Sequence, residues 1–266
     1  MGYNRPQSKW LARDAMRGAY PHPMLVSLVY LLLTSVLGNV VMSFVSNPFD
    51  AAYYYLTQTN YPVDEIMSAI FTPSRMAVLL LMELLLNLYF WVMRYGYTSY
   101  CLRLTRREGP SYRNLLDGFY SMGRALGVNF LVALFQFLWG LIGVAVYVVF
   151  VLVGVFLGSG LAVLMGIVSL VVWNIYISYR YRLAVYFLLD HPEMGVLEAI
   201  RSSRETMRGI TGALFVQDMS FLGWSILSIF TLGILSLWLA PYVGCAEANF
   251  YHWEVYGSYP ERPSVL

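Results

Sequence analysis

Between Ala125 and Tyr179 the sequence contains no aspartate, glutamate, lysine or arginine. That run of 55 residues amounts to about 82 Å of helix at ~1.5 Å per residue, against a bilayer core of ~30 Å. It excludes a solvated surface there and requires two crossings of a membrane. Charge is scarce throughout: 12% of the chain is charged and 59% hydrophobic, whereas soluble domains carry ~25% charged residues. The formal charge of +2 is too small to predict nucleic-acid binding, and the arginines gather in short clusters rather than along one basic stripe. Cysteine is scarce too. Cys101 and Cys245 lie far apart within predicted spans or at their ends, which speaks against a disulfide framework and for free thiols.

The marks of catalysis are also missing. There is no glycine-rich phosphate loop, nucleophile elbow, HExxH or calcium-loop sequence. His22, His191 and His252 have no cysteine or carboxylate at ligand spacing, and two of them stand beside proline. The expectation is a non-enzymatic protein with no catalytic, cofactor or metal residues.

What the sequence does contain is apolar length. Spans are expected at 24–45, 76–98, 127–152, 160–182, 213–232 and 235–254, forming one all-α membrane domain. The first run is too long for the ~7–15-residue core of a signal peptide and is expected to be retained, with no lipidation motif in view. Six crossings place both termini on one side, together with every basic residue except Arg75. The positive-inside rule makes that side cytoplasmic. A break at Gly233 and Pro241 leaves open one span plus a re-entrant piece in 213–254, with the tail outside. The 46–75 loop, rich in tyrosine and proline, reads as an outer headgroup-level segment.

A faint repeat runs through this pattern. Met16-Arg17-Gly18, Met122-Gly123-Arg124 and Met207-Arg208-Gly209 each precede an apolar run, and tyrosine-rich edges end the second, fourth and sixth spans. Three like-oriented hairpins, each introduced by an amphipathic interfacial helix, account for this; so does the ordinary gathering of Arg, Gly and Tyr at membrane edges.

Glu83, Asn87 and Arg94 fall within about 40° on one helix face and predict a polar stripe turned toward protein. Asp218 and Glu247 are the expected partners, with Gly140 and Gly143 allowing close helix approach. Leu79, Leu86 and Val148 are expected to face lipid. Ionised acids cost ~2.5–3.5 kcal/mol at a span centre, so Glu83 and Glu247 should be neutral or paired, while Asp218 lies nearer water. Singly, each polar residue is explained as a helix-to-helix tie worth ~1 kcal/mol. Only the set of three acids sustains a substrate or proton path.

The segment Glu193–Gly209 reads as a helix with Arg201, Arg204 and Arg208 on one side and Val196, Ile200 and Met207 on another. With Arg13 and Arg17 these are the expected contacts to anionic lipid.

The run from Glu198-Ala199-Ile200 through Ser203, Met207-Arg208-Gly209, Leu214-Phe215, Ser220-Phe221-Leu222-Gly223-Trp224, Thr231-Leu232-Gly233, Pro241-Tyr242 and Phe250-Tyr251 resembles the C-terminal half of the bacterial membrane proteins catalogued as domain of unknown function 975. The N-terminal half fits in pattern, and Gly158-Ser159-Gly160 replaces the Pro-Gly turn often seen between the middle spans. The resemblance implies a bacterial plasma-membrane protein with no established activity and therefore no catalytic residues to carry over. The function expected is that of an accessory or scaffold binding anionic lipid, its protein partner unidentified; the alternative is a transporter or export component for an amphipathic solute, peptide or lipid.

Overall fold

The computed structural model describes residues 3–44, Thr57 and 72–260; the outer loop expected at 46–75 lies almost wholly outside them. Every regular element among the described residues is helical. Helix α1 (Arg5–Met16) starts where the Asn4 side chain accepts from the Gln7 amide and Pro6 occupies the first turn. Helix α2 (Pro23–Leu31) passes through a π-helical turn at Leu32–Val36 into α3 (Leu37–Phe44). The long α4 (Pro73–Arg106) follows, then a 3₁₀ turn at Tyr112–Leu116 and the short α5 (Asp117–Tyr120). The charge-free run folds as α6 (Met122–Leu157) and α7 (Gly160–Arg180). After α8 (Ala184–Asp190) and α9 (Val196–Thr206) come α10 (Thr211–Met219), α11 (Leu222–Phe230) and α12 (Ser236–Tyr256).

Five stretches among the described residues are long and apolar enough to cross a membrane: Pro23–Val41, Met76–Arg106, Met122–Leu157, Gly160–Asp190 and Thr211–Phe230. They coincide with the first five expected spans, and the chain is an all-α membrane protein. The sixth expected span, 235–254, becomes α12, which is not among the five. Its sequence carries Glu247, Asn249, His252 and Glu254, and nine of its residues are buried by other helices. Enclosure by protein, rather than apolar composition, accommodates it.

Each long hairpin has its own reason to close. Gly158 adopts φ +60°, and the amides of Gly158 and Ser159 bond back to Val155 and Gly154, a glycine-centred stop that turns α6 into α7. A Cβ on Gly143 would lie 2.6 Å from Trp173 Cδ1, and one on Gly166 2.7 Å from Phe150 Cβ. Small residues thus set the approach of α6 to α7, as they do in membrane helix pairs. The turn from α11 to α12 uses Leu232 at φ +50° and Gly233 at φ +83°. Every backbone N–H from Thr231 to Leu239 finds an acceptor there, that of Leu235 being the Thr231 hydroxyl oxygen.

The tightly packed core sits at the arginine-rich end of the bundle. One cluster joins Tyr95, Val128, Ile177, Leu183, Met207 and Tyr251; a second joins Ala12, Val26, Tyr100, Leu115, Phe221 and Cys245. Farther out the side chains face away from the protein: Phe156 is 88% and Leu232 94% exposed. Short helices α1, α5 and α9 precede the three hairpins in turn. Gly18 (φ +70°) and Gly209 (φ +88°) make left-handed corners after α1 and α9, whereas Gly123 lies inside the first turn of α6. The order of short helix before hairpin thus recurs three times, with left-handed glycine corners at Gly18 and Gly209 and a middle helix of only 4 residues.

Candidate functional site

Where the expected intramembrane acids converge, the centre is a cation. Arg182, in the turn after α7, donates from Nε to Glu247 Oε1 at 2.6 Å and from Nη2 to Glu247 Oε2 at 3.2 Å. The same Nη2 lies 3.7 Å from Asp218 Oδ2, which accepts from the Tyr179 hydroxyl at 2.7 Å. The guanidinium also sits 5.8 Å from the Tyr179 ring centroid. α7, α10 and α12 thus meet on one ion cluster. Charges largely enclosed by helices, here 12–30% exposed, are tolerated when paired and hydrogen-bonded, and this arrangement meets that condition.

Glu83, Asn87 and Arg94 do not join the cluster. Asn87 Nδ2 donates to Glu83 Oε1 and to the Glu83 carbonyl, both at 2.8 Å, and Glu83 and Arg94 are exposed. The single polar site expected from the sequence is therefore two separate features among the described residues. The stripe does share one helix face, but a different face of α4 is buried. That face runs through Leu86, Met93, Tyr100 and Leu104, about a quarter-turn away. Large apolar and aromatic side chains chose the inward face, so Leu86, expected toward lipid, is buried, while Val148 faces outward as expected.

Other arginines are occupied in holding the base together. Arg106 pairs with Asp190 at 2.6 Å, and Asp190 also accepts from the hydroxyls of Tyr251 and Tyr256 at 2.9 and 2.5 Å. Desolvation, then the bond to Asp190, raises the Tyr256 pKa. Arg107 meets Asp14 at 2.7 Å. Arg124 Nη2 donates to the carbonyls of Leu188, His191 and Met194, each at 3.1 Å, capping the end of α8 with a positive charge.

Helix α1 lies antiparallel along α12: Tyr3 meets Phe250 edge-on at 4.8 Å, Ser8 Oγ donates to the Ala246 carbonyl at 3.3 Å, and Asn249 Nδ2 donates to the Ser8 carbonyl at 3.0 Å. Lys9 Nζ lies 4.2 Å from the Phe221 ring centroid, and burial, then Arg13 and Arg5, lowers its pKa. Cys101 and Cys245, distant in sequence, meet in the core as buried free thiols, with Cys245 Sγ 4.0 Å from the Cys101 carbonyl.

The five arginines expected at the lipid interface behave differently. Arg13, Arg17, Arg201, Arg204 and Arg208 are all exposed, and none forms an ion pair among the described residues. On α9, Ala199, Ile200 and Ser203 are buried, so Arg201 and Arg204 are carried on the outer side. Arg201 and Arg204 line a cavity of about 250 Å³ with Phe135, Trp139, Tyr181, Leu197 and Ile200.

Sequence reasoning missed Arg182 as the cluster's cation, because Tyr179-Arg180-Tyr181-Arg182 reads as an edge of alternating aromatic and basic residues. It missed Phe135 and Trp139 as cavity walls, since aromatics in an apolar run carry no separate signal. The i,i+3 spacing of Arg201 and Arg204 was the visible clue.

No curated protein and no solved structure matches the chain. The family described as "Protein of unknown function (DUF975)" matches residues 1–253, which extends the likeness seen in the C-terminal half over both ends of the bundle. With a match across nearly its whole length, this chain belongs to that family.

Proposed function

We propose that the protein is a non-enzymatic component of a bacterial plasma membrane that engages anionic lipid through its arginine-rich face, acting as an accessory or scaffold. One observation carries this reading. The arginines that hold the fold, Arg106, Arg107 and Arg182, each sit within 2.7 Å of a carboxylate oxygen, while Arg13, Arg17, Arg201, Arg204 and Arg208 project outward with no such partner among the described residues. Unpaired juxtamembrane arginines attract an anionic surface at ~1 kcal/mol each. The positive-inside rule then puts this face, α1 and the end of α12 in the cytoplasm.

The test is reconstitution into vesicles of phosphatidylcholine with or without phosphatidylglycerol, followed by quantification of the lipid that co-purifies. Enrichment of phosphatidylglycerol that falls when the five arginines become glutamine is the expected result. No enrichment would defeat the reading. Flux of an amphipathic solute abolished by Glu83→Gln or Asp218→Asn would replace it with transport.

A further inference from the structure

Resting on that lipid reading, we propose that the cavity between α6, the end of α7 and α9 is a binding site for one anionic phospholipid, its phosphate held by Arg201 and Arg204. Arg201 and Arg204 both line the cavity and come from neighbouring turns of one helix face, a spacing that lets two cations share one phosphate through charge-assisted hydrogen bonds. Ala199 and Ile200 are buried in the core, so the helix that presents the arginines is fixed in place. The opposite wall is aromatic: Phe135 stacks on Tyr181 with centroids 6.0 Å apart. Trp139, one turn farther along α6, is anchored by the Trp173 indole, which donates to its carbonyl at 2.9 Å. Indoles favour the headgroup level of a bilayer.

Size and continuity select a lipid rather than a small soluble anion. At about 250 Å³ the cavity is smaller than the ~300–1,000 Å³ of pockets that enclose drug-sized ligands, so it takes a headgroup and leaves the chains outside. Beyond Trp139, at helical spacing, Ile142, Val146 and Val149 form an exposed apolar stripe along which an acyl chain lies. Arg103, Arg106, Arg107, Arg124 and Arg182, elsewhere in the base, are occupied by carboxylates or carbonyls, whereas Arg201 and Arg204 form no ion pair among the described residues.

Native mass spectrometry of the full-length protein in detergent, titrated with phosphatidylglycerol, tests the site. The wild type is expected to retain one tightly held phosphatidylglycerol and to release phosphatidylcholine. The Arg201→Gln/Arg204→Gln variant should bind that first lipid about a hundredfold more weakly, the loss expected for two charge-assisted contacts, with an unchanged melting temperature. Arg13→Gln/Arg17→Gln should keep it. Inorganic phosphate in excess should not displace it; displacement would overturn the lipid assignment in favour of a free anion. Undiminished retention by the Arg201/Arg204 variant overturns the site while leaving the general lipid reading standing, whereas no preference over phosphatidylcholine in the wild type removes both.

Discussion

Arg182 grips Glu247 with two parallel hydrogen bonds, Nε to Oε1 at 2.6 Å and Nη2 to Oε2 at 3.2 Å, tying the turn after α7 to the middle of α12. The pair is largely shielded, with side-chain exposures of 30% and 12%. Removing one partner strands the other. Glu247→Gln is therefore expected to destabilise the detergent-solubilised protein by about 3–5 kcal/mol, and Asp218→Asn, whose carboxylate stands at the longer 3.7 Å, by less. Replacing Arg182 and Glu247 together by methionine should recover much of the loss, because well-packed apolar substitutes avoid an uncompensated charge. Thermal denaturation measures all three. A Glu247→Gln protein as stable as wild type would show the pair to be incidental.

A second expectation concerns the crossing of α4 and α12. A Cβ on Gly244 would stand 2.5 Å from Cys101 Sγ, so Gly244→Ala should cost about 1–3 kcal/mol through overpacking. Cys101→Ala removes the clashing sulfur and should restore part of that stability in the double variant. At Gly96 a Cβ would lie 2.1 Å from the Leu115 carbonyl oxygen, a backbone atom that cannot be trimmed away. Gly96→Ala should accordingly be the more damaging change, with no single side-chain substitution that rescues it. Equal losses at the two glycines would contradict this ranking.

The third hairpin is the short one. Phe135 and Tyr181 mark the level of the Arg182 cluster, and from Phe135 to the end of α6 at Leu157 is about 33 Å of helix. From Asp218 to Leu232 is only about 21 Å, ending in an apolar turn whose backbone N–H groups are internally satisfied. The tip of this hairpin is expected to stop within the acyl chains. A cysteine at Leu232 should resist an impermeant thiol reagent applied to intact cells, while one at Ser159 is modified. Equal labelling would mean that the hairpin reaches outer water. By the positive-inside rule, cysteines in the expected 46–75 loop should be labelled from outside and those between Arg103 and Asn114 should not; the reverse pattern would invert the orientation.

Much of this architecture was legible because membrane crossing writes itself into length and charge. The 125–179 run yields the α6–α7 hairpin directly, and the alternating faces of Glu193–Gly209 yield α9. What stayed hidden depends on which helix meets which. Asp218 and Glu247 stood out as costly charges, yet nothing local singled out Arg182 from the other edge arginines as their partner. Glu83 shows the opposite limit: a correct helical face, placed outward because the aromatic and apolar side chains of α4 bury another. α12 was legible as a helix at 235–254, but its enclosure by other helices was not, since a helix surrounded by protein need not be apolar all round.

Glu83 supplies a further check. Its carboxylate bonds only Asn87, one turn along the same helix, among the described residues, so Glu83→Gln should shift stability by no more than about 0.5 kcal/mol. Thermal unfolding of the purified variant measures this. A loss several times larger would reveal a partner for the carboxylate and return Glu83 to the functional candidates.

The antiparallel seat of α1 on α12 also has a consequence in time. These helices, Arg5–Met16 and Ser236–Tyr256, are separated in sequence by all the intervening hairpins, and both contribute to the cluster around Cys101 and Cys245. While the protein is being made, the buried face of α1, with Ser8, Ala12 and Met16, must wait through all the intervening hairpins before its partner emerges. α1 is therefore made long before it can be locked, and this part of the core closes only once α12 has been translated.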